Sequence, residues 1–439
     1  MAEVLPFKGI LYNKAQVNDL AAVVAPPYDV ISAKEQNNLY ARHGSNVIRL
    51  ILGKSENGDQ SQHDVHRRAS RYFSQWLEQG VLYRDPAPAF YLTSVEFSLG
   101  GQRISRYGVI GQVRLEPFEK GIVLPHERTF SKVKSERLQL MKACNTNFSP
   151  IFGLYSDDCG LLERLLSHVD NQEPYMDIED SQGQRHCLWR LTDQRLLDFV
   201  TQSMQHKRIY IADGHHRYET ALSYRNWVQA NRAGFSENHP SNYVMMSLSS
   251  LEDRGLIILP AHRLLKEVPR AHTAQLFHKA SEYFEIHSFA FDSNSEAALR
   301  KAETFLAEKA QKNAIGVFIQ ERSAIDVLVL KDGVMDHCFA DEPEPLRDLD
   351  VTVLTRLLMM ELLGFDQTRL DDESKITYRT TADSAVRAVL QHDADLAFIL
   401  NPTRIEQVQR VAEQGLIMPR KSTYFYPKVI SGQVMNLLA

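Results

Sequence analysis

Apolar residues recur along the chain with two different spacings, and each spacing predicts its own element. In residues 63–80, Ala69, Tyr72, Phe73, Trp76 and Leu77 fall at helical intervals, with Gly80 as a stop. Residues 90–98 and 103–115 read as two strands folded about Gly100 and Gly101, a hairpin. The run at 46–52 is rich in apolar and β-branched residues and predicts a buried strand. Strands are also predicted at 151–155 and 187–191, with a helix near 161–168 between them. A short apolar strand at 208–212 meets Asp213 and Gly214, a turn or helix-cap signal. The helix predicted at 215–232 has Tyr218, Ala221, Leu222, Tyr224 and Val228 on its apolar side. Strands at 242–249 and 256–259 complete this part.

Two stretches break the pattern. Residues 5–31 read as irregular and extended, because Pro26 and Pro27 forbid a helix there. Residues 116–150 form a polar, basic-rich connection with a helix predicted at 136–144.

After about residue 268 the pattern restarts. It predicts helices at 273–284, 295–312, 346–363 and 404–414, and strands at 315–320, 326–330, 376–379 and 397–400. Helix and strand signals mix throughout around a hairpin that must be antiparallel. The expected fold class is therefore mixed α/β, of the α+β kind. The expected division is 1–268 as a catalytic or nucleotide-binding region and 269–439 as a second α+β domain, whose C-terminal segment returns to the site. A length of 439 residues suits two or three domains at about 150 residues each.

Composition narrows the class but not the chemistry. Hydrophobic residues make up 44% and charged residues 24%, an ordinary globular mixture that excludes fibrous and largely disordered chains. The net charge of −5 comes without a basic stripe, so no nucleic-acid partner is expected. Cys144, Cys159, Cys187 and Cys338 are widely spaced, which suggests neither a disulfide scaffold nor a cysteine zinc site. No apolar run reaches about 18 residues and the first ten lack a signal-peptide pattern, so a cytoplasmic protein without membrane contact is expected.

The strongest chemical feature is Asp213-Gly214-His215-His216-Arg217. A strand runs through a glycine turn into a helix whose first amides lack intrahelical partners. Together with the helix dipole, they favour an anion, phosphate above all. Arg217 adds a fork of donors, and His215 and His216 add more. Asp213 then holds Mg²⁺ or takes a proton from a hydroxyl nucleophile; otherwise it is a plain helix cap. His126-Glu127-Arg128-Thr129 begins like a zinc-binding H-E-x-x-H helix, but Phe130 stands where the second histidine belongs. Either Glu127 serves as a base or metal ligand, with His126, Arg128 and Lys132 toward phosphate, or the segment is a solvated charged loop. The segment at 418–428, with Lys421 and Ser422, echoes a phosphate loop. However, Arg420 replaces its second glycine and Pro419 removes an amide, so the segment is either a looser phosphate or carboxylate contact or a packed aromatic terminal stretch. The Pro26-Pro27 turn either aims Tyr28 and Asp29 into a substrate pocket or is a plain structural bend.

Six motifs occur in order: LPFKG at 5–9, APPYDVI at 25–31, LPHE at 124–127, NFSPIF at 147–152, IADGHHRYETA at 211–221 and MPRKSTYFYPK at 418–428. Together they make the chain resemble the bacterial and archaeal domain-of-unknown-function 1015 family along nearly its whole length. The Asp213–Arg217 segment is similar to the phosphate-binding turn of the ParB/sulfiredoxin-like superfamily, which includes free serine kinases. The resemblance implies a ParB/sulfiredoxin-like core and a phosphotransferase acting on serine, O-phosphoserine or a similar small hydroxyl compound, with His262 and Arg263, at a position of the family's pattern, as further candidates for the substrate pocket. ATP or ADP would be donor or acceptor, and Mg²⁺ would assist. The reaction would run as a serine kinase or, in reverse, as a phosphoserine phosphatase in effect. Two alternatives stand beside it. One is a ParB-like nucleotide-binding switch without small-molecule catalysis, which would oligomerise with nucleotide state. The other is a metal-dependent hydrolase using Asp213, Glu127, His215 and His216.

Overall fold

The computed structural model describes residues 1–291, 295–372 and 374–438. It divides into two compact units: Met1–Ile257 with Pro427–Ala439, and Ile258–Tyr426. The chain thus leaves the first unit once and returns to it at Pro427; the sequence pattern places the division after 268, with a C-terminal segment returning to the site. The return is fixed by pairing: Ser431 bridges to Ala25 and Met435 to Ile10. Asn436–Leu437 then pairs with Thr146–Asn147.

The first unit contains, in order, β1 (Val4–Leu5), β2 (Ile10–Tyr12), α1 (Ala33–Arg42), α2 (Ile48–Ile51), α3 (Gln62–Glu78), β3 (Leu82–Arg84), β4 (Phe90–Leu99) and β5 (Gln102–Arg114). It continues with β6 (Val123–Leu124), α4 (Ser131–Cys144), β7 (Thr146–Asn147), β8 (Ile151–Tyr155), α5 (Leu161–Val169), β9 (Met176–Glu179) and β10 (Arg185–Leu191). The last elements before the exit are α6 (Gln194–Met204), β11 (Ile209–Asp213), α7 (His215–Asn231) and β12 (Tyr243–Ser250). The main sheet runs β6-β11-β8-β12-β5-β4-β10-β9, with β1 beside β5. β6/β11 and β8/β12 are parallel, and the other neighbours are antiparallel. The fold class is therefore mixed α/β, as the pattern predicts.

Local signals explain the elements that position the site. The β4–β5 hairpin closes through Gly100 and Gly101, both at positive φ, the two-residue turn whose twist matches its strands. Ser61 and Asp64 form a capping box at the start of α3, which buries Val65, Ala69, Phe73 and Trp76 on one face. Alternate residues of the sheet feed two apolar clusters. Ile110 and Met245 join the side chains of α1–α4, while Val109, Val113, Val244 and Met246 join those of α5–α7.

Three expectations are corrected. The run at 46–52 is not a strand: it contains α2, because the Asn46 side chain donates to the Ala22 and Val24 carbonyls and accepts from the Ile48 amide. Those bonds turn the chain where its composition favours extension. The helix predicted from 136 starts five residues earlier, at Ser131. Its first turn is anchored from outside, by α7, as described below. In the second unit, the helix expected at 273–284 spans Arg270–Ala280, and Phe284 begins a strand paired with Leu330.

The second unit is built on a six-stranded antiparallel sheet. Its order is Phe284–Ala290, Ala324–Leu330, Ala314–Ile319, Leu396–Leu400, His262–Leu265 and Ile376–Arg379. The apolar stretch near 346–363 is helical as expected, but most of it, Val353–Leu362, winds as a π-helix. Among the described residues, no helix is long and apolar enough to cross a membrane.

Candidate active site at the strand-to-helix turn

β11 does not meet β8 in a regular ladder. Ile211 pairs with Gly153, yet Asp213 pairs with Phe152, so one residue is bulged out between them. A bulge of this kind bends the strand and re-aims the side chain that follows. Gly214 then caps α7 at φ 97°, a left-handed conformation open to glycine at little strain. A Cβ here would sit 2.8 Å from Arg217 Nε, so the missing side chain also makes room for the guanidinium.

Asp213 is the centre of a charge cluster. Lys428 Nζ donates to its Oδ1 at 2.6 Å, and Arg217 Nη2 donates to its Oδ2. Arg217 Nη1 also donates to the Pro150 carbonyl. All three side chains are at most 16% exposed. Burial alone would raise the Asp213 pKa, but Lys428 and Arg217 outweigh it and hold the carboxyl well below the usual carboxylate range. Two cations against one carboxylate leave a positive excess at the N-terminus of a 17-residue helix. Lys428 is itself placed by its neighbour: fully buried Arg106 donates to the Pro427 carbonyl at 2.7 Å and lies over the Phe152 ring. Burial lowers the Arg106 pKa to about 10, against the opposing pull of Asp253 and Asp213.

The histidines serve a different end. His215 Nε2 accepts the His126 backbone N–H at 3.2 Å, which leaves the ring proton on Nδ1, facing Glu127 Oε2 at 3.6 Å. His216 Nε2 accepts the Phe130 N–H at 2.9 Å and stacks on the Phe130 ring. One turn further along α7, Glu219 accepts from Thr129 Oγ1 and Lys134 Nζ. His215, His216 and Glu219 thus clasp the 126–134 segment and fix the start of α4. The His126 ring meets His215 edge-on, with centroids 4.7 Å apart. Burial pushes the His126 pKa down to about 4, opposed by a bond to the Ile211 carbonyl, and burial with His126 holds His215 well below its usual value.

These neutral, buried rings make stability sensitive to acid. In the unfolded chain both take up a proton near pH 6.5. The contribution from their burial is complete above that value and is lost as pH falls through about 4. For His126 alone the shift corresponds to about 3 kcal/mol. The urea midpoint is expected to fall steadily from pH 7 to pH 4.5, and a His126→Gln variant should show a shallower decline. A flat wild-type profile would remove the buried neutral pair.

The sequence candidates are distributed as follows. Asp213, Gly214, His215, His216, Arg217, His126 and Glu127 are brought together at the turn. Arg128 and Lys132 are solvent-exposed on the clasped segment. Tyr28 lines a cavity with Arg137 and Arg217, while Asp29, next to it, is exposed. His262, Arg263, Lys421 and Ser422 belong to the second unit. There, His262 Nδ1 accepts the Leu400 N–H, Arg263 donates to the Arg420 carbonyl and Ser422 Oγ donates to the Pro419 carbonyl. Lys421 is exposed at positive φ. Sequence reasoning did not single out Lys428 or Arg106 as parts of the site. Among the described residues, no group of three or more His, Cys, Asp or Glu is arranged to hold a metal ion.

Known proteins offer the following matches. The sequence profile of the family described as "Protein of unknown function (DUF1015)" matches residues 4–352. No curated protein matches the chain in sequence. Among solved structures, a free serine kinase variant in complex with ADP aligns at 12% identity and TM-score 0.35, over 72% of this chain and 87% of that one. A conserved hypothetical protein from Pyrococcus furiosus aligns at 13% identity and TM-score 0.35, over 75% and 95%. SbnI from Staphylococcus aureus, truncated at its C-terminus, aligns at 10% identity and TM-score 0.36, over 74% and 86%.

Proposed function

We propose that this chain, which belongs to the DUF1015 family, is a nucleotide-dependent phosphotransferase acting on serine, O-phosphoserine or a similar small hydroxyl compound, with its phosphate site at the Asp213–Arg217 turn. The observation that carries this reading is the charge cluster. Lys428 and Arg217 are oriented by one ionised carboxylate at the N-terminus of α7. Preorganised cations and helix amides of this kind stabilise the charge of a transferring phosphoryl group. We read the surrounding core as ParB/sulfiredoxin-like on the strength of the same turn.

In the forward direction, the hydroxyl oxygen attacks the terminal phosphorus of ATP or ADP. The bridging P–O bond breaks, and its electron pair leaves on the nucleotide. Arg217, Lys428 and the α7 terminus hold the moving phosphoryl group. The hydroxyl proton goes to Glu127, a half-buried carboxylate facing the His215 Nδ1 proton. Asp213 is a poor base, because two cations suppress its proton affinity, and its part is to orient them. Mg²⁺ does not fit as a directly held ion: the turn offers Asp213, and both its oxygens already accept from cations.

Phosphorus NMR tests the reading. Purified protein is mixed with L-serine and ATP or ADP, and separately with O-phosphoserine and ADP, with and without Mg²⁺. A phosphoserine or new nucleotide resonance is expected, slowed at least 100-fold in Lys428→Met. No exchange in any mixture would refute phosphotransfer to serine.

A further inference from the structure

We infer that the cavity between α4 and α7 binds the carboxylate of a small organic acid through Arg137 and Thr220. The cavity measures about 60 Å³, against roughly 10–15 Å³ for one water. It can therefore hold the acid end of a small molecule. Its apolar wall includes Leu140, Met141, Phe148 and Val244, and Arg217 joins it to the Asp213 turn.

Two of its buried polar atoms have no hydrogen-bond partner among the described residues. Thr220 is 1% exposed and Arg137 9% exposed. Neither Thr220 Oγ1 nor Arg137 Nε has a hydrogen-bond partner among the described residues. A helix hydroxyl normally has an easy alternative, the carbonyl one turn back. Ser167, Ser223, Thr304 and Thr355 all use it. Ser223 lies on the same helix as Thr220, so α7 permits the bond that Thr220 does not make. A buried polar group left without a partner is costly. Two of them lining one cavity point to an external acceptor.

The charge of that acceptor follows from the neighbours. Arg217 pairs with Asp213, whose other oxygen accepts from Lys428. Arg137 donates to the Ile51 carbonyl and to Glu136, which is half-exposed, and lies 4.2 Å from the Tyr28 ring centroid. One buried positive charge is left without an equally buried counter-ion. That suits a monoanionic carboxylate, whereas a phosphate dianion would bring excess negative charge into an apolar space. The Arg137 Nε–H and the Thr220 hydroxyl would each donate to a carboxylate oxygen. The inference rests on the phosphotransfer reading only in casting this acid as the phosphate acceptor.

Ligand-observed NMR titration of the full chain without nucleotide is the test, using propionate, L-lactate and L-serine, with methyl phosphate and ethanolamine as contrasts. The carboxylates should bind and ethanolamine should not. Thr220→Val should weaken the carboxylates at least 10-fold while its melting temperature stays level or rises, because the unpartnered hydroxyl is gone. Arg137→Gln should abolish binding. Absence of carboxylate binding to folded wild type, unchanged affinity in Thr220→Val, or tighter binding of methyl phosphate would each overturn the assignment. Carboxylate binding without phosphate exchange would leave the cavity assigned and remove the phosphotransfer reading. Exchange with an unchanged KM in Thr220→Val would do the reverse.

Discussion

Asp213→Asn is expected to slow phosphate exchange at least 1,000-fold and to destabilise the first unit by about 3 kcal/mol. The two effects share one origin. The wild-type carboxylate accepts from Lys428 on one oxygen and from Arg217 on the other, so a single negative charge fixes two cations at the mouth of α7. An asparagine keeps the volume but turns a donor toward one of those cations. It also leaves both nearly buried charges facing each other without a counter-ion, the circumstance in which breaking an ion pair is most costly. Lys428→Met should disturb stability less, because Asp213 keeps Arg217. The measurement is exchange rate per folded molecule, with the folded fraction taken from circular dichroism. A variant that is folded and fully active would take Asp213 out of the phosphate site.

Gly214→Ala is expected to cost about 2 kcal/mol and to slow exchange at least 100-fold. Part of the loss is backbone strain at φ 97°. The rest is steric, since the new methyl would press on the Arg217 guanidinium at 2.8 Å and move it off Asp213. Gly100→Ala separates the two contributions. Gly100 also has a positive φ, of 59°, but open space where its Cβ would go. It should lose stability without losing activity. Equal activity loss in both variants would mean that strain alone, and not Arg217, links Gly214 to the chemistry.

The turn was legible in the sequence because all its signals are local. An apolar strand, a glycine and a helix-spaced run lie within the 25 residues 208–232, and side chains three and four positions apart on α7 must share a face. The β4–β5 hairpin was legible for the same reason. What completes the turn was not. Lys428 reaches Asp213 across 215 positions, and no spacing rule connects residues that far apart. The α2 segment misled in the opposite way: its composition favours a strand, but a single asparagine side chain bonded to carbonyls 22 and 24 residues upstream decides its shape. His215 and His216 were visible as chemistry-bearing residues. Their engagement as acceptors for the His126 and Phe130 amides depends on how the 126–134 segment lies on α7, which composition does not encode. Thr220 gave no signal at all, since a threonine on an apolar helix face usually satisfies itself on the preceding turn.

The second unit is inserted into the first, and this sets an order of events during synthesis. When Ile257 has been translated, the ribosome has produced every strand of the main sheet and the whole of α7. Asp213 and Arg217 have then been synthesised, but the lysine that gives the cluster its positive excess lies 171 residues ahead, beyond the complete second unit. The strand Asn436–Leu437 that pairs with β7 comes later still. A nascent chain therefore carries a turn without Lys428 and an unpaired β7 through the synthesis of an entire second unit. The Asp213 turn is completed only after residue 428 has cleared the exit tunnel, so translational pausing within the second unit prolongs the immature state of the first.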